Sequence, residues 1–211
     1  MELERRFCDR HQLQIRAGDA EKASKVTGYA AVFNALSIEL WGFRERIAPG
    51  AFSAGLGDDI RALWDHQTSI VMGRTKSGTL RLSEDDTGLY FENEPPTSAT
   101  HQLESIERGD VDQMSFGFRV LEQEWDEDDE GQLIRTLRKV KLYEVSYVAF
   151  PAYLATSAQM RGEGRQIDEQ FGIIPEIPHE FRRAPDSNNA MAMTRARMAQ
   201  RKRRLQLLTL E

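Results

Sequence analysis

Between Gln113 and Val120, Met114, Phe116, Phe118 and Val120 alternate with Ser115, Gly117 and Arg119. A helix advances about 100° per residue and would scatter those four apolar side chains, whereas a strand gathers them on one face. The stretch is therefore read as a strand that runs to about Glu124, with Ser115 and Gly117 together on its other face. Glycine weakens a strand but lets another chain come close. A serine beside that bare backbone fits two readings, an exposed nucleophile or a small residue in a tight sheet.

The rest of the chain offers partners of the same kind. Leu13–Ala17 and Thr27–Asn34 alternate as strands, and Arg44–Ala48 follows a connection. Pro49-Gly50 then punctuates the chain ahead of a short helix at Ala51–Leu56 that Gly57 closes. Ile60–His66 reads as a strand ending in the polar pair Asp65-His66. Ile70–Arg74 continues the sheet, and Thr79–Leu82 with Gly88–Glu92 form a hairpin about an acidic turn. After Pro95-Pro96, Thr97 or Ser98 is placed to cap a helix that turns Leu103 and Ile106 inward and ends at Gly109. The acidic turn Asp126–Gly131 leads into a long strand from Leu133 to Phe150. Many short strands with few helices predict an α+β, mainly β fold, an antiparallel barrel-like or strongly curved sheet flanked by a few helices.

Charge divides the chain in two. From Gln159 onward 10 Arg and Lys stand against 7 Asp and Glu, while the remainder carries 18 against 27 within a total of 28 against 34. Residues 1–158 are accordingly read as one domain, and 159–211 as a linker and basic helical tail, partly disordered or helical. Pro175, Pro178 and Pro185 exclude regular helix around them, and Ser187 or Asn188 caps a final helix bearing Arg195, Arg197 and Arg201–Arg204. Its favoured role is a solvated helix or an arm that docks on a partner. No aromatic residues interleave with those charges, which weighs against specific nucleic-acid or membrane contact.

Cys8 is the single cysteine, so an internal disulfide is excluded and a reducing compartment fits. Cys8 and His11 share a helical spacing, but a catalytic cysteine needs more context. Met1–Arg6 lacks the apolar core of a signal peptide, and no run approaches the ~20 apolar residues of a membrane span. A soluble intracellular protein is expected.

Two further residues bear on Ser115. Strict alternation from Val140 to Phe150 groups Glu144 with Val140, Leu142, Ser146, Val148 and Phe150 on one face. A carboxylate there needs a donor, supplied either by a structural salt bridge or by an imidazole N–H. His66 is the candidate imidazole, because it closes an apolar strand, whereas His11 and His179 lie near the ends and His101 on the helix. His66, Ser115 and Glu144 are the parts of a base, nucleophile and orienter. Their chain order matches none of the familiar serine hydrolases, and no G-x-S-x-G elbow is present. Asp126-x-Asp128-x-Glu130-Gly131 imitates a calcium loop, but Leu137 stands where its closing Glu belongs. Asp65, His66 and His101 have no metal-site spacing. No metal or cofactor is expected.

Four blocks carry a resemblance. They are Glu45-Arg46-Ile47-Ala48-Pro49-Gly50-Ala51-Phe52; Ala62-Leu63-Trp64-Asp65-His66 with Met72-Gly73-Arg74; Met114-Ser115-Phe116-Gly117-Phe118; and Leu142-Tyr143-Glu144-Val145-Ser146 through Phe150-Pro151-Ala152. In this order and spacing, over roughly Gly28 to Ala158, the chain resembles the prohead (procapsid maturation) serine proteases of tailed bacteriophages. The resemblance implies a serine endopeptidase similar in fold to herpesvirus assemblin, a barrel-like sheet surrounded by helices. His66 then matches the general base, Ser115 the nucleophile and Glu144 the third position, with backbone N–H groups near Ala152 and Tyr153 as oxyanion donors.

The implied substrate is the scaffold segment of the major capsid protein, or a separate scaffold protein, cut inside the procapsid in the host bacterial cytoplasm. Self-cleavage is implied as well, with the tail as its place. The portal or other procapsid components and further copies of the chain are the remaining partners. The rival is a catalytically inactive internal scaffold or assembly protein on the same fold, for which a charge on the Glu144 strand face has no use.

Overall fold

The computed structural model describes residues 3–8, 13–16, 24–149 and 175–181. Among the described residues, ten strands and one α-helix belong to the main unit: β1 (Glu4–Cys8), β2 (Gln14–Arg16), β3 (Lys25–Val32), β4 (Arg44–Ile47), β5 (Arg61–Trp64), β6 (Gln67–Arg74), β7 (Leu80–Glu84), β8 (Gly88–Asn93), α1 (Thr100–Glu107), β9 (Gln113–Glu127) and β10 (Leu133–Val148). The described residues of the second unit, 175–181, hold a 3-10 turn at His179–Phe181.

One sheet runs β1-β9-β10-β5-β6, with β4 also on β10, and the other β2-β3-β8-β7. Together they make a strongly curled half-barrel, as the strand pattern predicts. The pairing is not purely antiparallel. On the side away from β9, β10 is flanked in parallel first by β4 (Ile134–Leu137 against Arg44–Ile47) and then by β5 (Glu144–Tyr147 against Arg61–Trp64). Between them the Pro49-Gly50-Ala51 turn takes over the ladder, because Val140 donates its N–H to the Ala51 carbonyl at 2.9 Å.

The long β9–β10 hairpin is closed by its turn residues. Asp128 Oδ1 accepts the N–H groups of Glu130 and Gln132 at 3.0 and 2.8 Å, and Gly131 takes φ +72°. An Asx turn followed by a left-handed glycine is ordinary chemistry for such a reversal. Among the described residues no cluster of three or more metal-ligating side chains forms.

Met114, Phe116 and Phe118 of β9 pack with Val140, Leu142, Val145 and Tyr147 of β10, Ala62 of β5, Met72 of β6 and Val26, Ala30, Leu89 and Phe91 of the second sheet. Asn93 ties the two sheets together. It is fully buried, and its amide donates to the Met72 carbonyl at 3.1 Å and to the Tyr147 hydroxyl at 3.0 Å. A Cβ at Gly73 would run into the Asn93 amide oxygen, so that crossing requires glycine.

Local corrections have identifiable causes. The segment 51–56 makes only a 3-10 turn, Ser53–Gly55. The helix begins after Ala99 with no side-chain cap, so neither Thr97 nor Ser98 plays that part. Gly109, at φ +77°, does end it, and Ile106 and Leu103 do face the core. Strand β1 has no counterpart in the sequence reading, which placed Cys8 at a helical spacing. Among its described side chains the buried ones are the charged Glu4 and Arg6, where a hydrophobic alternation would put apolar residues.

Candidate active site

Two backbone irregularities bring His66 and Glu144 together. The first is the turn between β5 and β6. The strand read as Ile60–His66 stops at Trp64, which pairs with Gln67, and Asp65 and His66 alone close the hairpin. Both have positive φ, +50° and +56°, the signature of a type I′ turn, which normally selects glycine at its second position. A histidine held there costs on the order of 1 kcal/mol or more, and such strain gathers at functional sites. The Asp65 N–H donates to the Tyr147 carbonyl at 2.9 Å, which pins the turn against β10.

The second irregularity is a register shift in β10 between Leu142 and Glu144. Before it, Val140 and Leu142 face the core; after it, Val145 and Tyr147 do. The unbroken alternation expected from Val140 to Phe150 is thus wrong, because one extra residue, Tyr143, reverses the faces. Glu144 and Ser146 consequently share the face opposite the core with their register partners on β9, Gly117 and Ser115.

On that face His66 Nδ1 lies 2.7 Å from Glu144 Oε1, with side-chain exposures of 13% and 10%. An ionised carboxylate only accepts, so Nδ1 carries the hydrogen and Nε2 is the nitrogen left for proton transfer. Ser146, fully buried, donates its hydroxyl to the other carboxylate oxygen at 2.6 Å. Gly117 leaves the room that the carboxylate fills: a Cβ there would stand 2.5 Å from Oε1. Of the two donors open to Glu144 in the sequence, the imidazole is the one found, and a serine joins it.

Ser115 is fully buried, in the strand beside Glu144 and directly opposite Ser146. Its hydroxyl donates to the Arg6 carbonyl at 3.0 Å, across the β1–β9 pairing that sets Phe7 opposite Ser115. His101 is exposed on α1 and His179 lies in the second unit. Ala152, Tyr153 and Phe150 fall outside the described residues, as does the basic tail helix.

A second polar cluster, invisible to the sequence reading, holds β1. Arg6 donates to Glu45 Oε1 at 2.7 Å and to Glu4 Oε2 at 2.6 Å, while Arg135 reaches Glu4 at 2.6 Å and Glu45 at 2.8 Å. Arg135 also donates to Gln123 Oε1 at 2.7 Å. All four charged residues are less than a tenth exposed. Two positive and two negative charges cancel, which makes their burial tolerable. The signal available in the sequence was Glu4-x-Arg6, an acid and a base two residues apart and so on one strand face.

The arrangement can orient an imidazole, stabilise it when protonated and keep it near a serine strand. No curated protein and no solved structure matches the chain. The family model described as caudovirus prohead serine protease matches residues 11–170, a span that contains His66, Ser115 and Glu144. The chain therefore belongs to the caudovirus prohead serine protease family.

Proposed function

We propose that the chain is a serine endopeptidase of capsid maturation that uses His66 as general base, Ser115 as nucleophile and Glu144 as orienter. The observation that carries this reading is the 2.7 Å bond between His66 and Glu144 on the sheet face shared with Ser115. Glu144 holds the Nδ1–H tautomer and offsets the charge that the imidazole gains. His66 Nε2 takes the Ser115 proton as Oγ attacks a scissile carbonyl carbon. The same nitrogen then protonates the leaving amine, and water, activated in turn by His66, hydrolyses the acyl-enzyme. Backbone N–H groups near Ala152 and Tyr153 serve as oxyanion donors, each worth about 3–4 kcal/mol in sites of this kind.

The substrate in this reading is the scaffold segment of the major capsid protein or a separate scaffold protein, together with the enzyme's own chain. Inside a procapsid the effective concentration substitutes for tight binding. No described helix is long and apolar enough to cross a membrane. Co-expression with the cognate capsid protein tests the proposal. Wild type is expected to give a shortened capsid chain, and Ser115→Ala a full-length one. Identical full-length bands with both proteins would instead support an inactive scaffold on this fold.

A further inference from the structure

We infer that β1 occupies the strand position beside Ser115 that a peptide substrate takes, and that the buried charge cluster latches it there, keeping the enzyme silent until β1 is exchanged. The inference rests on the protease reading above and concerns the control of that site. Its first support is the direction of one hydrogen bond. A serine activated by a base must give its proton to the imidazole, yet the Ser115 hydroxyl donates to the Arg6 carbonyl at 3.0 Å. A peptide carbonyl already stands at the nucleophile, bonded through its oxygen, and it accepts the proton that His66 would have to take.

The second support is the geometry of β1. Five consecutive residues, Glu4 to Cys8, pair antiparallel with Phe118 to Met114. An extended peptide adding to a sheet edge makes such contacts, with affinity from main-chain hydrogen bonds and selectivity from alternate side chains. Strand β1 is the terminal strand of its sheet, so its departure leaves the β9 edge open without breaking the β9–β10–β5 order that carries Ser115, Glu144 and the His66 turn.

The third support is the charge balance. Glu4 and Arg6 bring one negative and one positive charge, and the scaffold supplies Glu45 and Arg135, themselves 2.8 Å apart. Lifting β1 away leaves a neutral ion pair rather than an orphaned charge, so the latch opens without stranding either partner. The strand that replaces β1 fits the same surface best when it carries an acid and a base two residues apart. Arg6 also lies over the Trp41 and Phe118 rings, 5.7 and 5.6 Å from their centroids, which favours arginine in the basic position.

Fluorophosphonate labelling of Ser115, mapped by peptide mass spectrometry on the full chain, tests the inference. The double variant Glu4→Ala/Arg6→Ala keeps the Glu45–Arg135 pair balanced and is expected to label at least tenfold faster than wild type. In the opposite sense, Glu4→Cys/Phe118→Cys in a Cys8→Ser background places two thiols at register partners of β1 and β9, so oxidation locks β1 down. The oxidised form is expected to label at least tenfold more slowly than the same protein reduced. Equal rates for wild type and the double variant, or for the oxidised and reduced forms, overturn the inference and leave the protease reading standing. If no folded form labels at Ser115 and none shortens the capsid chain, the protease reading falls and takes the inference with it.

Discussion

Gly117→Ala is the substitution that most directly tests how Glu144 is seated. The backbone at Gly117 is not in the left-handed region, so alanine fits the strand itself. Against the unfolded chain alone the change is expected to stabilise by about 0.4–1 kcal/mol. The new Cβ, however, would stand 2.5 Å from Glu144 Oε1 and 3.1 Å from its carboxyl carbon. That is roughly 1 Å inside the ~3.5 Å contact optimum. The carboxylate cannot retreat freely, because His66 holds one oxygen at 2.7 Å and Ser146 the other at 2.6 Å. Overpacking of this kind costs about 1–3 kcal/mol, so the net expectation is a loss of about 1–2 kcal/mol. In a Glu144→Ala background the collision is absent, and Gly117→Ala should change sign and stabilise by about 0.5 kcal/mol. Urea unfolding of the four proteins of this cycle, followed by tryptophan fluorescence, measures the coupling. A cost equal in the two backgrounds to within about 0.5 kcal/mol would refute the packing argument. Labelling of Ser115 in the single variant should also slow by roughly 10²-fold, the scale on which a displacement of about 1 Å acts on a catalytic group.

Two pH predictions follow from the same geometry. Burial pushes the Tyr147 phenol well above its usual value of 10.0. Its contribution is thus fully present below about pH 10 and lost as pH rises further. Tyr147→Phe is expected to cost about 1 kcal/mol at pH 7, for the lost Asn93 bond, and to flatten the alkaline limb; equal losses in both proteins between pH 7 and pH 11 would sink this account. At the acid end, the Arg74 guanidinium holds the Asp59 carboxyl down to about 2, through bonds of 2.7 and 2.6 Å. A depressed carboxylate stabilises above its usual 3.8 and loses that contribution as pH falls toward 2. The difference in Tm between wild type and Asp59→Asn should therefore shrink over that window, and a difference independent of pH would show that the ion pair is not its source.

Legibility followed the physics of each element. The β7–β8 hairpin and the core face of β9 could be read because Leu80, Leu89, Phe91, Met114, Phe116 and Phe118 are apolar and buried. Strand β1 could not, since it buries Glu4 and Arg6, whose partners Glu45 and Arg135 lie 39 or more residues away in the chain. The His66 turn was read as the end of a strand, because the glycine that usually marks a type I′ turn is missing. Of the candidate site, the order of family-like blocks singled out His66, Ser115 and Glu144. The parts played by Ser146 and Gly117 at the carboxylate, and by the Arg6 carbonyl at Ser115, appear only when the strands are set side by side.

By itself the sequence determined that Met114, Phe116 and Phe118 enter a core while Ser115 and Gly117 do not, because period-2 alternation allows a strand no other division. It also placed a histidine beyond one apolar strand and a carboxylate within another. The tertiary structure decided which way that carboxylate faces. A single extra residue at Tyr143 moved Glu144 from the predicted apolar face to the side of Ser115, and the paired left-handed residues Asp65 and His66 carried the imidazole to within 2.7 Å of it. Bulges and left-handed turns are settled by the pairing of strands distant in the chain, and local alternation carries no record of that pairing.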